Sequence, residues 1–314
     1  MKAIAIIDPG YDSYDYEREL FHQHGFSLEI NESPRAQNDR RIDFARNAVG
    51  ILVRGTLIDK EALSKLPGLK AIVRYGTGYD NVDIDSVKAR GIRVCNVQGY
   101  GNHSVSDHAL ALMFACIRDL EGNRKDPFGV PSRKDMFEIH DKTLGIIGLG
   151  RIGSLFSKKA SPLFKDTLAC DPYKDAAYMR SHGASKTDLA DLLRKCHVIS
   201  IHCNLTEETR HLLNLSGFKQ MANRPVIINT SRGPVIREAD LLTALDKHMI
   251  HSAGIDVFEQ EPPGEAQERL KVHPRIVTTT HVAWYSERSV RELQKRAAEN
   301  MIALLSGKQV SDEL

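Results

Sequence analysis

Short apolar runs recur at regular intervals along this chain, and longer amphipathic stretches fill the gaps between them. In the first third the runs are Ala3–Ile7, Gly50–Val53, Ala71–Val73 and Arg93–Asn96, with helix-like segments at Asp59–Lys65 and Asp83–Arg90. A second series opens at Leu144–Ile147 and continues through Thr167–Cys170, Val198–Ile201, Val226–Asn229, Ala253–Asp256 and Ile276–Thr279. Continuously apolar strands that alternate with helices predict parallel sheets buried on both faces, since each crossover lays a helix over the sheet. The alternation runs twice, so two doubly wound α/β units are expected. Ser104–Leu120 carries Val105, Ala109, Leu112, Met113 and Cys116 near the helical period, and Ser286–Leu305 carries Val290, Leu293, Ala297, Met301 and Leu304 at similar spacing. Both suit helices that cross between units. The first unit is then discontinuous, 1–101 with 287–314, and the second is inserted at 102–286.

Charge and composition narrow the partners. Lys and Arg total 43 against 41 for Asp and Glu, a formal charge of +2, without the basic footprint of a nucleic-acid binder. No apolar stretch approaches the roughly 18–20 residues that span a bilayer, and Met1–Asp8 lacks the long apolar core and cleavage site of a secretory leader. A cytoplasmic protein with no membrane partner is expected. The five cysteines, Cys95, Cys116, Cys170, Cys196 and Cys203, are odd in number and scattered without a Cys-x-x-Cys pair, which argues against a disulfide framework or a zinc site. The terminal Ser311-Asp312-Glu313-Leu314 looks like a retention signal, but without a leader it reads as coincidence.

The densest motif is Gly148-Leu149-Gly150-Arg151-Ile152-Gly153, directly after the Leu144–Ile147 strand and before a helix at Arg151–Ala160. The first glycine permits a tight turn, the second admits a pyrophosphate to the backbone, and the third lets the helix pack on the strand. Amides at the positive end of that helix then face the phosphates. Asp171 closes the next strand, where a carboxylate accepts from the adenosine ribose hydroxyls and repels a 2′-phosphate, so NAD is expected over NADP. Farther on, Asn229-Thr230-Ser231-Arg232-Gly233-Pro234, Asp256-Val257-Phe258-Glu259-Gln260-Glu261-Pro262 and Thr279-Thr280-His281-Val282-Ala283-Trp284 each follow a strand. Loops at one sheet edge bring Arg232, Glu261 and His281 toward a common ligand.

These motifs, with the loop Gly76-Thr77-Gly78-Tyr79-Asp80-Asn81-Val82-Asp83, resemble the D-isomer-specific 2-hydroxyacid dehydrogenases over essentially the whole chain. Arg74 and His281-Val282-Ala283-Trp284-Tyr285-Ser286-Glu287 look most like the C-terminal binding protein and phosphoglycerate dehydrogenase-like branch. The resemblance implies a Rossmann NAD-binding domain inserted into a smaller flavodoxin-like substrate domain, a homodimer, and hydride transfer between NAD and a small 2-keto or 2-hydroxy acid. It implies that Arg232 holds the substrate carboxylate and keto oxygen. His281 then exchanges the proton, and Glu261 orients His281 and stabilises its charged form. By the same carry-over, Gly76, Gly78, Arg74 and Trp284 face the substrate. Thr77, Gly148, Gly150, Arg151, Ile152, Gly153, Asp171, Cys203, Thr209, Thr230, Ser231, Asp256 and Ala283 contact the cofactor, with Asp256 accepting from the nicotinamide carboxamide.

Two departures stand out. Thr280 occupies the place of the family's usual Pro before the catalytic His, which removes a backbone restraint, and Gln98-Gly99-Tyr100-Gly101-Asn102-His103 differs from the family's Pro-containing loop. His103 and His108 read as helix-capping or surface residues. Arg54, Arg74, Tyr75, Tyr100 and Trp284 around the pocket suggest a keto acid with a polar or anionic tail, such as hydroxypyruvate or a sugar-derived acid. An NADH-sensing interaction protein of the C-terminal binding protein type is the alternative. Formate dehydrogenases fit poorly, because they carry Gln where this chain has Glu261.

Overall fold

The computed structural model describes residues 1–32, 38–124 and 128–314. The chain divides into two compact units, one built from Met1–Gly101 and Ser286–Leu314, the other from Asn102–Tyr285. The helix Asn102–Ile117 belongs wholly to the second unit and the helix Glu287–Leu305 wholly to the first.

The first unit is a five-stranded parallel sheet of β1 (Lys2–Ile6), β2 (Phe26–Ile30), β3 (Ala48–Val53), β4 (Ala71–Arg74) and β5 (Arg93–Cys95), in the order β2-β1-β3-β4-β5. That is the doubly wound flavodoxin-like order. Ala5, Ile51, Val53, Ile72 and Val94 bury one face against short helices that include Lys60–Ser64 and Ile84–Ala89. Those helices start where Asp59 and Asp83 accept the amides of Ala62 and Ser86, the capping that Asx residues supply. Helix Glu287–Leu305 packs beside β3, where a Cβ on Gly50 would stand 2.6 Å from Met301 Sδ. The terminal residues are tied into the same sheet. The Leu314 amide donates to Val94 at 3.0 Å, Arg93 pairs with Glu313 at 2.6 Å, and Asp312 accepts from Arg296 at 2.8 Å and from the Gln98 amide at 3.0 Å.

The second unit holds β6 (Thr143–Ile147), β7 (Asp166–Cys170), β8 (Ser185–Lys186), β9 (Val198–Ile201), β10 (Val226–Asn229), β11 (Ser252–Ile255) and β12 (Ile276–Thr278). They form a seven-stranded parallel sheet in the order β12-β11-β10-β9-β6-β7-β8, which reverses direction between β6 and β9. Period-2 alternation divides its apolar residues between two cores. Ile147, Ile199, Ile201, Ile227 and Ile255 meet helices such as Leu189–Lys195 and Glu238–Asp246, whereas Leu144, Ile146, Val198, Val226 and Ile228 meet Asn102–Ile117 and Arg151–Ala160. Among the described residues, no helix is long and apolar enough to cross a membrane.

The differences from expectation have local causes. β2 and β8 carried no apolar run because these two edge strands turn polar positions to solvent, with Glu29 and both residues of β8 exposed. The expected helix Ser104–Leu120 stops at Ile117, where Asp119 takes a left-handed φ of 45° before a separate short helix at Leu120–Asn123.

Candidate active site

In a parallel sheet every strand ends on the same edge, and the crevice outside the switch between β6 and β9 is where such folds bind ligands. β6 runs into Gly148, whose φ of +87° suits glycine and where a Cβ would stand 2.6 Å from the Cys203 amide nitrogen. A Cβ on Gly153 would lie 2.0 Å from the Gly148 carbonyl oxygen, so the helix Arg151–Ala160 packs on the turn with no room to spare. At Gly150 a Cβ would meet nothing within 4 Å: that glycine is required neither by packing nor by φ. The open space over Gly150 fits a pyrophosphate.

Asp171 is 9% exposed and braces the same turn, one oxygen accepting the Leu149 amide at 2.7 Å and the other the Tyr173 amide at 2.8 Å. Thr230 has a buried hydroxyl without a partner, an orphan that a bound ligand can satisfy. Ser231 and Thr209 have committed theirs, to Asn229 Oδ1 at 2.9 Å and to the Asn204 carbonyl at 2.7 Å. Burial raises the Cys203 thiol to about 11, so it is no thiolate nucleophile. Arg151 and Ile152 open the helix beside the turn.

The loops after β10, β11 and β12 carry the ionisable groups. Asn229 shapes the first, accepting the Ser231 amide at 3.0 Å and donating to the Arg232 carbonyl at 2.9 Å; Arg232 Nη1 in turn donates to the Ser231 carbonyl at 2.7 Å. His281 and Glu261 meet at 2.5 Å between Nδ1 and Oε2, with side chains 40% and 34% exposed. Burial pushes the Glu261 carboxyl up. The hydrogen bond and charge of His281, the Phe258 amide and the charge of Arg232 outweigh it, and Glu261 lies below its ordinary value. His281 has a left-handed φ of 56°, and its carbonyl accepts from Trp284 Nε1 at 2.9 Å.

Asp256 is 0% exposed and organises this last loop. Its Oδ1 accepts from the Thr279 hydroxyl at 2.5 Å and the Val282 amide at 2.9 Å, its Oδ2 from the Ala283 amide at 3.0 Å, and its carbonyl from the His281 amide at 2.8 Å. His108 reaches Thr279 Oγ1 at 2.9 Å and is partly buried, not the surface or capping residue expected; His103 is exposed. No local signal marks the His108–Thr279 contact, whose partners lie 171 positions apart.

In the first unit, Asp8 after β1 accepts the amides of Arg54, Gly55 and Thr56 at 2.8, 2.8 and 2.9 Å, and Arg41 and Thr56 Oγ1 at 2.5 and 2.6 Å. It shapes the loop that carries Arg54, a role the sequence reading missed. Arg74 folds over Gly76, whose φ is +131°, and donates to the Tyr75 carbonyl at 2.7 Å. Gly78 follows on the same loop, and Thr77 donates to the Val97 carbonyl at 3.1 Å. Tyr75, expected in a pocket wall, is 1% exposed, and its hydroxyl donates to Glu17 at 3.0 Å inside the core.

Residues 110–283 match the family model described as "D-isomer specific 2-hydroxyacid dehydrogenase, NAD binding domain". The chain is 33% identical to a D-3-phosphoglycerate dehydrogenase of Archaeoglobus fulgidus over 98% of its own length, spanning 58% of that relative. It is 32% identical to a glyoxylate reductase of Korarchaeum cryptofilum over 80% of this chain and 77% of the relative. Among solved structures, D-lactate dehydrogenase from Aquifex aeolicus, complexed with NAD and lactic acid, superposes with a TM-score of 0.85 at 26% identity, covering 98% of this chain and 96% of that one. Apo D-lactate dehydrogenase from Escherichia coli gives 0.85 at 29% identity with full coverage of both chains. The chain belongs to the D-isomer specific 2-hydroxyacid dehydrogenase family, and NAD is its cofactor.

Proposed function

We propose that the chain transfers a hydride between NAD(H) and a small D-2-hydroxy acid or the matching 2-keto acid. The observation that carries this reading is the His281–Glu261 pair at 2.5 Å on the sheet edge that also presents Arg232. A guanidinium offers two parallel donors that suit a carboxylate and the adjoining keto oxygen. His281 engages Glu261 through Nδ1, so Nε2 holds the exchangeable proton, given to the keto oxygen in reduction and recovered in oxidation. The Glu261 carboxylate fixes the orientation of the ring. NAD(H), when bound, supplies or accepts the hydride. Asp171, Thr230 and the turn at Gly148–Gly153 are the residues that hold it. Asp256, sealed from solvent in the chain alone, fixes the His281 loop.

The substrate class is read from Arg54, Arg74 and Tyr100, with Gly76 and Gly78 offering amides to a carboxylate: a keto acid with a polar or anionic tail. Exposed Phe114, Leu120, Phe128 and Val130 support a homodimer, which sedimentation tests, and a cytoplasmic location completes the reading. Changing His281→Gln or Arg232→Ala lowers turnover about 10²–10⁴-fold while NADH binding persists. Near-parental turnover in either variant overturns the assignment.

A further inference from the structure

His281 is held in a backbone conformation that side-chain-bearing residues seldom adopt, and Thr280 before it supplies no proline restraint. Something else must keep the loop in place. Asp256 does so from below, through the amides of His281, Val282 and Ala283. Asp256 is itself bonded to Thr279, and Thr279 to His108.

Proton accounting gives that chain a direction. The Thr279 hydroxyl has one proton, and the carboxylate at 2.5 Å can only accept, so the proton points to Asp256. Thr279 Oγ1 therefore accepts from His108, whose Nε2 must carry a hydrogen. The same nitrogen lies 3.7 Å from Asp256 Oδ1. His108 projects from the helix Asn102–Ile117, whose residues Ala109, Leu112, Met113 and Cys116 are core, so the chain ends on a rigid element. A site held on a packed helix keeps its geometry better than one held by its own loop.

We propose that His108 is a positioning residue for the reaction: through Thr279 and Asp256 it fixes the loop that presents His281. The inference rests on the reading of His281 as the proton-exchanging group. Trp284 makes it testable apart from that reading, because this is the only tryptophan in the chain and its Nε1 donates to the His281 carbonyl at 2.9 Å. Its emission and its accessibility to acrylamide report the loop with no substrate present.

The experiment compares the parent protein with His108→Leu, His108→Gln, Thr279→Val and the His108→Leu/Thr279→Val double variant. Displacing a catalytic group by about 1 Å costs on the order of 10²-fold, so His108→Leu lowers kcat about 10- to 100-fold with KM for NADH unchanged, and Trp284 becomes more accessible to quencher. His108→Gln returns an N–H donor at a similar reach and recovers both signals. Thr279→Val reproduces the loss, and the double variant is no worse than either single one, as for residues in one chain of bonds. Should His108→Leu fail to fold, the Thr279→Val and His108→Gln pair carries the same comparison. The proposal is overturned if the Leu variant keeps the parental kcat and Trp284 quenching, if the Gln variant is no better than the Leu variant, or if the two losses add. A parent that turns over no keto acid overturns the functional reading, and the Trp284 measurements still decide whether His108 fixes the loop.

Discussion

Two glycines of the Gly148–Gly153 turn do different work, and alanine at each separates the two jobs. A Cβ at Gly153 would sit 2.0 Å from the Gly148 carbonyl oxygen, more than 1 Å short of ordinary contact at 3.4 Å, and 3.1 Å from its carbon, and both atoms are backbone. The turn cannot yield by rotating a side chain, so the helix Arg151–Ala160 must lift. Overpacking of this kind costs about 1–3 kcal/mol, and a rigid neighbour places Gly153→Ala near the top of that range. For a unit of this size about 3 kcal/mol lowers Tm by about 6–12 °C. The same lift takes the helix-start amides off the phosphates. Losing one or two hydrogen bonds to a charged group, each worth about 1.5–3 kcal/mol, weakens NADH binding about 10- to 100-fold or more. Gly150→Ala meets nothing within 4 Å, and the backbone φ there is −74°, so the fold keeps its Tm. Its methyl group occupies the space read as the pyrophosphate's, and NADH affinity falls all the same. Calorimetry and NADH fluorescence titration measure the two quantities. Equal losses of Tm in both variants, or parental NADH affinity in Gly150→Ala, would refute the division of labour.

Other expectations follow from the same structure. Asp171→Ser, which removes the carboxylate at the end of β7, lowers the ratio of kcat/KM with NADH to that with NADPH at least about tenfold, about 1.4 kcal/mol; an unchanged ratio contradicts the role given to Asp171. Glu261 has a depressed carboxyl pKa in the folded protein. The stability this gives is present above the ordinary carboxylate range and lost as pH falls through the lower folded value. The gap in denaturant midpoint between the parent and Glu261→Gln therefore closes between about pH 6 and about pH 3, and a gap that widens in acid reverses the sign argued here. Asp312→Ala removes the acceptor of Arg296 Nη2 and of the Gln98 amide, while Arg296 Nη1 keeps the Gln98 carbonyl, and costs the first unit about 1–3 kcal/mol. Guanidinium unfolding reads that loss, and an unshifted midpoint shows that the terminal residues merely rest on the sheet.

The central strands of the second unit were legible almost to the residue because both faces of its sheet are buried, which makes Val198–Ile201 and Val226–Asn229 mostly apolar, with only Ser200 and the terminal Asn229 polar. The glycine turn was equally legible, since Gly148 and Gly153 answer backbone demands that other residues meet poorly and Gly150 leaves open space above the turn. The edge strands β2 and β8 were not: Phe26–Ile30 interleaves Ser27 and Glu29 with its apolar residues and gains its structure from pairing with β1, and Ser185–Lys186 is two exposed polar residues. Tyr75 illustrates a second limit. An aromatic residue after a strand reads the same whether it lines a pocket or fills a core, and here its bond to Glu17 settles it in the core. Asp8 and His108 illustrate a third, because a side chain that braces a distant loop leaves no spacing pattern, and only the fold brings Asp8 to Thr56 and His108 to Thr279.

The central claim is that the loops after β10, β11 and β12 reduce a 2-keto acid with NADH. Its most direct test is the oxidation of NADH by the purified protein in the presence of glyoxylate, hydroxypyruvate, 3-phosphohydroxypyruvate, pyruvate and a branched keto acid, with the His281→Gln variant run beside it. The account predicts rapid oxidation with a polar- or anionic-tailed keto acid, lost in the variant, which still binds NADH. Tight NADH binding by the parent with no turnover of any member, or turnover that survives loss of the imidazole, would contradict it.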